Sequence, residues 1–132
     1  MKTAKLLLTL SIPAFATAAS FCSDPEWNQV YADEFNGETL DDKSWTIDLE
    51  GGDSRVRESQ GTADNVYLEN GNLVLRSQKQ QLGAYNYTSG SIQSQGLKSF
   101  KGKTRVCVMA KLPGANGGNG IWPAHWLMVS ES

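Results

Sequence analysis

Histidine and cysteine are scarce in this 132-residue sequence: His125 is the only histidine, and Cys22 and Cys107 are the only cysteines. A zinc centre draws four ligands and usually takes its cysteines in close pairs, so the composition predicts no metal. The G-x-S-x-G elbow is missing too, and one histidine among many serines does not make a hydrolase triad. There is no basic excess, the formal charge being −2, which argues against nucleic acid or an anionic membrane surface as a partner. No 3.6-residue apolar stripe is long enough to predict a helix. The glycine-rich stretch at 114–120 follows Pro113 and precedes a strand-like run, whereas a phosphate cradle opens a helix, so no cofactor is expected. The acidic stretch at 48–53 lacks the spaced oxygen ligands of a calcium hand loop and reads as a surface turn.

What is present begins with an address. Lys2 and Lys5 precede an apolar core from Leu6 to about Phe15, followed by Ala16-Thr17-Ala18-Ala19. That order predicts a secretory signal peptide at 1–18 and a mature chain at 19–132; a cut after Ala19 fits almost as well. An uncleaved anchor needs an apolar span of about 20 residues, roughly twice this core. Loss of Lys2 and Lys5 would lower the formal charge by two, from −2 to −4. The expected product is secreted and extracellular, one domain with a modest core. In an oxidising compartment a Cys22 to Cys107 bridge would close a loop worth about 4 kcal/mol in the chain-entropy model. A buried free thiol, or a thiol whose partner lies outside this sequence, stays open as an alternative.

The rest reads as short β-segments punctuated by glycine and asparagine, at 29–35, 46–49, 66–69, 72–78, 90–94, 104–112 and 121–128. Asn70-Gly71, between two β-rich runs, supplies the positive φ angles of a tight hairpin. In 104–112 the residues Val106, Val108, Ala110 and Leu112 share one face, the two-residue period of a half-buried strand. Regular spacing without crossover helices favours an all-β sandwich over a parallel α/β sheet. Asn86-Tyr87-Thr88 is an N-glycan acceptor sequon and marks an exposed stretch.

In GIWPAHWLM, residues 120–128, alternation places Trp122, Ala124, Trp126 and Met128 on one face. Two neighbouring indoles make either a platform for the apolar faces of sugar rings or filling for the core between two sheets. Periodicity alone favours the core.

DEFNG (Asp33 to Gly37), Trp45, NVYLENGNLVL (Asn65 to Leu75), YTSGSIQS (Tyr87 to Ser94), AKLPG (Ala110 to Gly114) and GIWPAHWLM occur in one order. That ordered set resembles glycoside hydrolase family 16, in particular its laminarinase-like endo-β-1,3(4)-glucanases. The resemblance covers nearly all of the mature chain. It implies a concanavalin A-like jelly-roll β-sandwich with an open cleft for a β-glucan chain, and a secreted enzyme that hydrolyses β-1,3 or mixed-linkage glucan. In such proteins the tryptophans of WPAxW border the cleaved sugar, which reverses the reading from periodicity: Trp122 and Trp126 become the substrate-binding residues, Trp126 foremost.

The family's reaction is retaining double displacement by two acids on a strand of the form E-[I/L]-D-[I/F]-x-E just after the tryptophans. Alternation brings both acids to the cleft side, at the separation of about 5 to 5.5 Å that retaining chemistry needs. Here Met128 is followed by Val129, Ser130, Glu131 and Ser132 alone. Glu131 has no partner acid, and Asp33-Glu34 belongs to an early strand in the resemblance and is no substitute. The expectation is the N-terminal half of such a domain, truncated, with no catalytic residue of its own and no hydrolytic activity. Loss of later strands would leave the isolated product poorly soluble or partly folded; the full-length protein would be a monomer. Many relatives carry a basic residue in place of Ser91, and Glu and Arg in place of Cys107 and Met109, so subsite polarity is open. The alternative function is a non-catalytic β-glucan-recognition protein that keeps the platform and loses the acids; a blander one is a nonfunctional truncated product.

Overall fold

The computed structural model describes residues 22–50, 58–114 and 120–129. The expected signal peptide, Glu131 and most of the glycine-rich loop lie outside them. The chain divides into two units, residues 1–30 and 31–132. In the first, Asp24 organises a turn, its carbonyl accepting from Trp27 N–H at 3.1 Å and its carboxylate from Glu26 N–H at 3.0 Å.

The second unit contains every strand found among the described residues: β1 (Thr46–Ile47), β2 (Ser59–Gly61), β3 (Val66–Glu69), β4 (Asn72–Leu75), β5 (Ser77–Gln78), β6 (Tyr87–Ser89) and β7 (Ile92–Gln93), with a 3-10 turn at Ala63–Asn65 ahead of β3. They form three small sheets, β1 with β7, β2-β6-β5, and β3 with β4. The expected hairpin at Asn70-Gly71 forms: Glu69 pairs with Asn72 across a two-residue turn, and both turn residues have positive φ, 51° and 70°. That geometry matches the right-handed twist of the flanking strands.

Arg76 divides the expected strand at 72–78 in two. Its N–H donates to the Asn65 carbonyl at 2.9 Å, prolonging the β3–β4 ladder, while its carbonyl accepts from Gly90 N–H at 2.8 Å, starting the ladder to β6. The chain thus passes from one sheet to the next within a single residue. β6 joins β2 in parallel and β5 in antiparallel register. Neither β2 nor β6 falls within an expected strand; both lie in polar Ser-, Thr- and Gln-rich sequence where apolar alternation gives no signal.

Three expected strands are corrected. Residues 29–35 form none: Asp33 accepts from Phe35 N–H through its side chain at 2.8 Å, and Phe35 takes a left-handed φ of 52° that no strand accommodates. Residues 104–112 and 121–128 also form none, since no ladder pairing reaches them. The apolar face expected to be half-buried at 104–112 is open to solvent at Val106, Val108 and Leu112.

The buried interior of the described residues is small and polar: Val66 is its apolar member, beside Ser44, Asn65 and Thr88. At two crossings backbone meets backbone too closely for any side chain. A Cβ on Gly90 would lie 2.1 Å from the Asn65 carbonyl oxygen, and one on Gly61 would lie 2.5 Å from that of Asp48.

Candidate functional site

Trp122 and Trp126 follow Gly120, whose φ is 88°, on a segment outside every strand. They are 74% and 71% exposed, so neither indole fills a core among the described residues. Ile121 and Leu127, on the opposite face by alternation, are exposed as well. A solvent-facing indole offers a broad apolar face and one N–H donor, the pair of functions that a sugar ring with apolar C–H faces and peripheral hydroxyls can use. Two shallow depressions lie elsewhere, one bordered by Lys79, Gln80, Gln81, Asn86 and Tyr87, the other by Glu38, Ile47, Tyr67 and Leu73 among others. Asn86 is exposed, immediately ahead of β6. Cys22 and Cys107 are both disulfide-bonded. Among the described residues no three His, Cys, Asp or Glu side chains converge as metal ligands.

The best-defined polar arrangement was not foreseen from the sequence. Asn65 and Thr88, each 0% exposed, meet where the 3-10 turn runs beneath β6. Asn65 Nδ2 donates to Thr88 Oγ1 at 2.9 Å, and Thr88 Oγ1 donates onward to Gln80 Oε1 at 3.1 Å. Asn65 Oδ1 accepts from Arg76 Nε at 2.9 Å, while Arg76 Nη2 donates to the Asp64 carbonyl at 3.0 Å. The guanidinium also lies 5.7 Å from the centroid of the Tyr67 ring. Buried polar atoms that are mutually satisfied specify one arrangement, because leaving any of them unpaired costs about 1 to 3 kcal/mol. The available signal was Asn65 and Thr88 themselves, polar residues inside the NVYLENGNLVL and YTSGSIQS motifs.

A second cluster joins DEFNG to the tryptophan twelve residues on. Asp33 Oδ2 accepts from Trp45 Nε1 at 2.7 Å, and the Trp45 ring lies 6.0 Å from Phe35 and 6.5 Å from Tyr31. Tyr31 in turn lies 6.2 Å from Phe100, with Lys98 Nζ 5.4 Å from its ring centroid. The Asp33 carboxylate accepts from both the Trp45 indole and the Phe35 amide and so ties the DEFNG turn to Trp45. Nearby, Ser44 Oγ donates to Asp41 Oδ2 at 2.5 Å; this bond, then the Lys43 N–H bond, holds the Asp41 carboxyl below its ordinary value.

Comparison with known proteins supplies the context for these clusters. The family model described as "Beta-glucan synthesis-associated protein SKN1/KRE6/Sbg1" matches residues 3–130. Among curated proteins, the chain is 30% identical over 123 residues to a glucan endo-1,3-beta-glucosidase A1 of Niallia circulans, covering 80% of this chain and 17% of that protein. It is 35% identical over 109 residues to a beta-glucan synthesis-associated protein SKN1 of Candida albicans, covering 78% of this chain and 14% of that one. Among solved structures, the catalytic domain of an endo-1,3-beta-glucanase (laminarinase) from Thermotoga petrophila RKU-1 aligns with a TM-score of 0.50 and 26% identity, over 57% of this chain and 34% of that chain. The chain therefore spans well under half the length of these relatives. The fold is the all-β jelly roll of the laminarinases, and the laminarinase-like resemblance read from six ordered motifs agrees with these matches.

Proposed function

Because the chain belongs to the beta-glucan synthesis-associated SKN1/KRE6/Sbg1 family, we propose that it is the glucan-holding portion of a secreted, laminarinase-like protein of glycoside hydrolase family 16. The observation that carries this reading is the exposure of both indoles of the W-P-A-x-W motif, Trp122 and Trp126, neither of which fills a core among the described residues. A β-1,3 or mixed-linkage glucan is the substrate class, its pyranose C–H faces lying on the indoles. The whole protein would cleave the O-glycosidic bond by retaining double displacement, a nucleophile and a general acid/base about 5 to 5.5 Å apart flanking it. The 132 residues contain no E-x-D-x-x-E, so by themselves they bind without cutting.

The leader at 1–18 and the acceptor sequon fit passage through an oxidising secretory compartment. There Cys22 and Cys107 form one bridge, consistent with the bonded state of both. A second reading, recognition of glucan without hydrolysis in the whole protein, is favoured by the matching family being named for glucan synthesis rather than cleavage.

The test uses the 132-residue chain on insoluble β-1,3-glucan and on soluble laminarin. Retention on the insoluble polymer, weakened about tenfold by Trp126→Ala, with no new reducing ends, is the expected outcome. Release of reducing ends would contradict the claim that this chain does not cut. Passage of the unsubstituted chain through insoluble glucan without retardation would remove the holding role. In a longer protein carrying this segment, reducing-end release separates the hydrolase from the recognition reading.

A further inference from the structure

The sequon Asn86-Tyr87-Thr88 has its first and third residues in opposite environments. Asn86 is exposed and borders an open depression with Lys79, Gln80, Gln81 and Tyr87. Thr88 is fully buried, and its hydroxyl is committed twice, accepting from Asn65 Nδ2 and donating to Gln80 Oε1. Strand pairing holds it from both sides, with Gln60 of β2 opposite on one edge and Gln78 of β5 on the other. Transfer of a glycan to asparagine needs the sequon bent and the threonine hydroxyl free to engage the transferase. A central strand with a buried, doubly bonded hydroxyl provides neither.

We infer that Asn86 is an N-glycan acceptor that can be modified only before Thr88 is enclosed, so that closure of the β2-β6-β5 sheet sets the deadline for modification. This rests on the secretory reading above. In the step itself, Asn86 Nδ2 attacks the anomeric carbon of an oligosaccharide carried on a polyprenyl diphosphate. The N–C bond forms as the C–O bond to the diphosphate breaks; the lipid diphosphate leaves with that electron pair, and the amide loses one proton to a base of the transferase. No oxidant or reductant takes part. The finished glycan is compatible with the closed sheet because Asn86 borders open space, where the amides of Gln80 and Gln81 and the half-exposed Tyr87 ring can meet the first sugar.

Two assays decide it. In the first, purified eukaryotic oligosaccharyltransferase and lipid-linked oligosaccharide are given either the folded 132-residue chain or a synthetic peptide of residues 80–95. The peptide should be modified at least tenfold faster, and Asn65→Ala should raise modification of the whole chain toward the peptide's rate. Equal rates for folded chain and peptide, or no modification of the peptide, would overturn the inference. In the second, the chain is translated with microsomes present from the start, bearing a control sequon added at its C-terminus. A glycan at Asn86, removed by peptide N-glycosidase and absent in Asn86→Gln, is expected. Modification of the control alone would overturn Asn86 as an acceptor, whereas a control that also stays bare sinks the secretory reading and leaves the deadline to be judged by the first assay.

Discussion

Residues 59–93 and residues 104–129 of one chain contrast in what their side chains promise and what they deliver. The first stretch carries its large apolar groups mostly in one hairpin, 66–75, and is polar elsewhere, yet it builds six strands and encloses Asn65 and Thr88 completely. The second has the cleaner apolar alternation and two tryptophans, yet no ladder forms among its described residues and Val106, Val108, Trp122, Trp126 and Met128 stay exposed. Alternation specifies which face of a strand is apolar; it does not supply the neighbour whose N–H and C=O groups complete the ladder. In 59–93 those neighbours come from within the same stretch for every strand but β7, which pairs with β1 at Thr46–Ile47, and buried polar side chains lock the register.

The sharpest way to break the contrast is to disturb the backbone crossing that holds the first region together. Gly90→Ala forces a methyl group to 2.1 Å from the Asn65 carbonyl oxygen, an atom in the ladder that cannot rotate away. Overpacking against fixed backbone should cost on the order of 3 kcal/mol. The measurement is amide hydrogen exchange at Arg76 and Gly90, whose protection should collapse. Unchanged protection would show that the crossing is looser than its geometry.

A smaller loss is expected from the side chains of the same crossing. Asn65→Ala leaves Arg76 Nε and Thr88 Oγ1 without their partner, and an orphaned buried polar group costs about 1 to 3 kcal/mol. Thr88→Val should fall in the same range. The double variant should lose less than the sum of the two, because both singles sever one bond. Strict additivity, read from urea midpoints, would argue that Asn65 and Thr88 act independently.

In the second region the same chemistry should do almost nothing to stability. Val108→Ser and Trp126→Ala each remove apolar surface that is already in water, so each should change stability by no more than about 0.5 kcal/mol. Trp126→Ala should nevertheless weaken retention on β-glucan about tenfold, the loss of one aromatic anchor worth about 1.4 kcal/mol. A stability loss matching that of Asn65→Ala would mean that residues 104–129 are packed in solution, and the contrast between the regions would fail.

That contrast also separates what the sequence makes legible from what it does not. The Asn70-Gly71 hairpin was readable because a local rule, positive φ at two turn residues, decides it without tertiary help. The all-β class was readable from short runs and missing crossover helices. The break at Arg76 was not, since it follows from two sheets competing for one residue's backbone groups, and β2 and β6 were invisible because their sequence is polar throughout. Residues 29–35 had a strand-like composition, but Asp33 diverts the Phe35 amide into a side-chain bond, a local competition that alternation ignores. For the proposed site, the platform reading of Trp122 and Trp126 rests on the ordered motifs, because periodicity describes a core tryptophan and a platform tryptophan alike.

The smallest expected effect sits beside the Trp45 cluster and tests whether the first region's reliance on polar locks extends beyond 59–93. Asp41 accepts from Ser44 Oγ and from the Lys43 amide, and in the folded chain these bonds hold its carboxyl below its ordinary value. A carboxyl lowered by folding binds its proton more weakly in the folded than in the unfolded state. Its stabilisation is therefore fully present above the unfolded value and is lost as pH falls through the folded one. Stability followed by urea midpoint from about pH 5 down to about pH 2 should decline, and part of that slope should vanish in Ser44→Ala, which removes the largest cause of the lowering. Because Asp41 faces solvent, water and salt screen its charge, so the missing slope should be slight and should shrink further at high ionic strength. An identical slope in Ser44→Ala would mean that the Ser44 hydroxyl does not hold Asp41 ionised, and that the turn at 41–45 is fixed by its backbone bonds and the Trp45 indole instead.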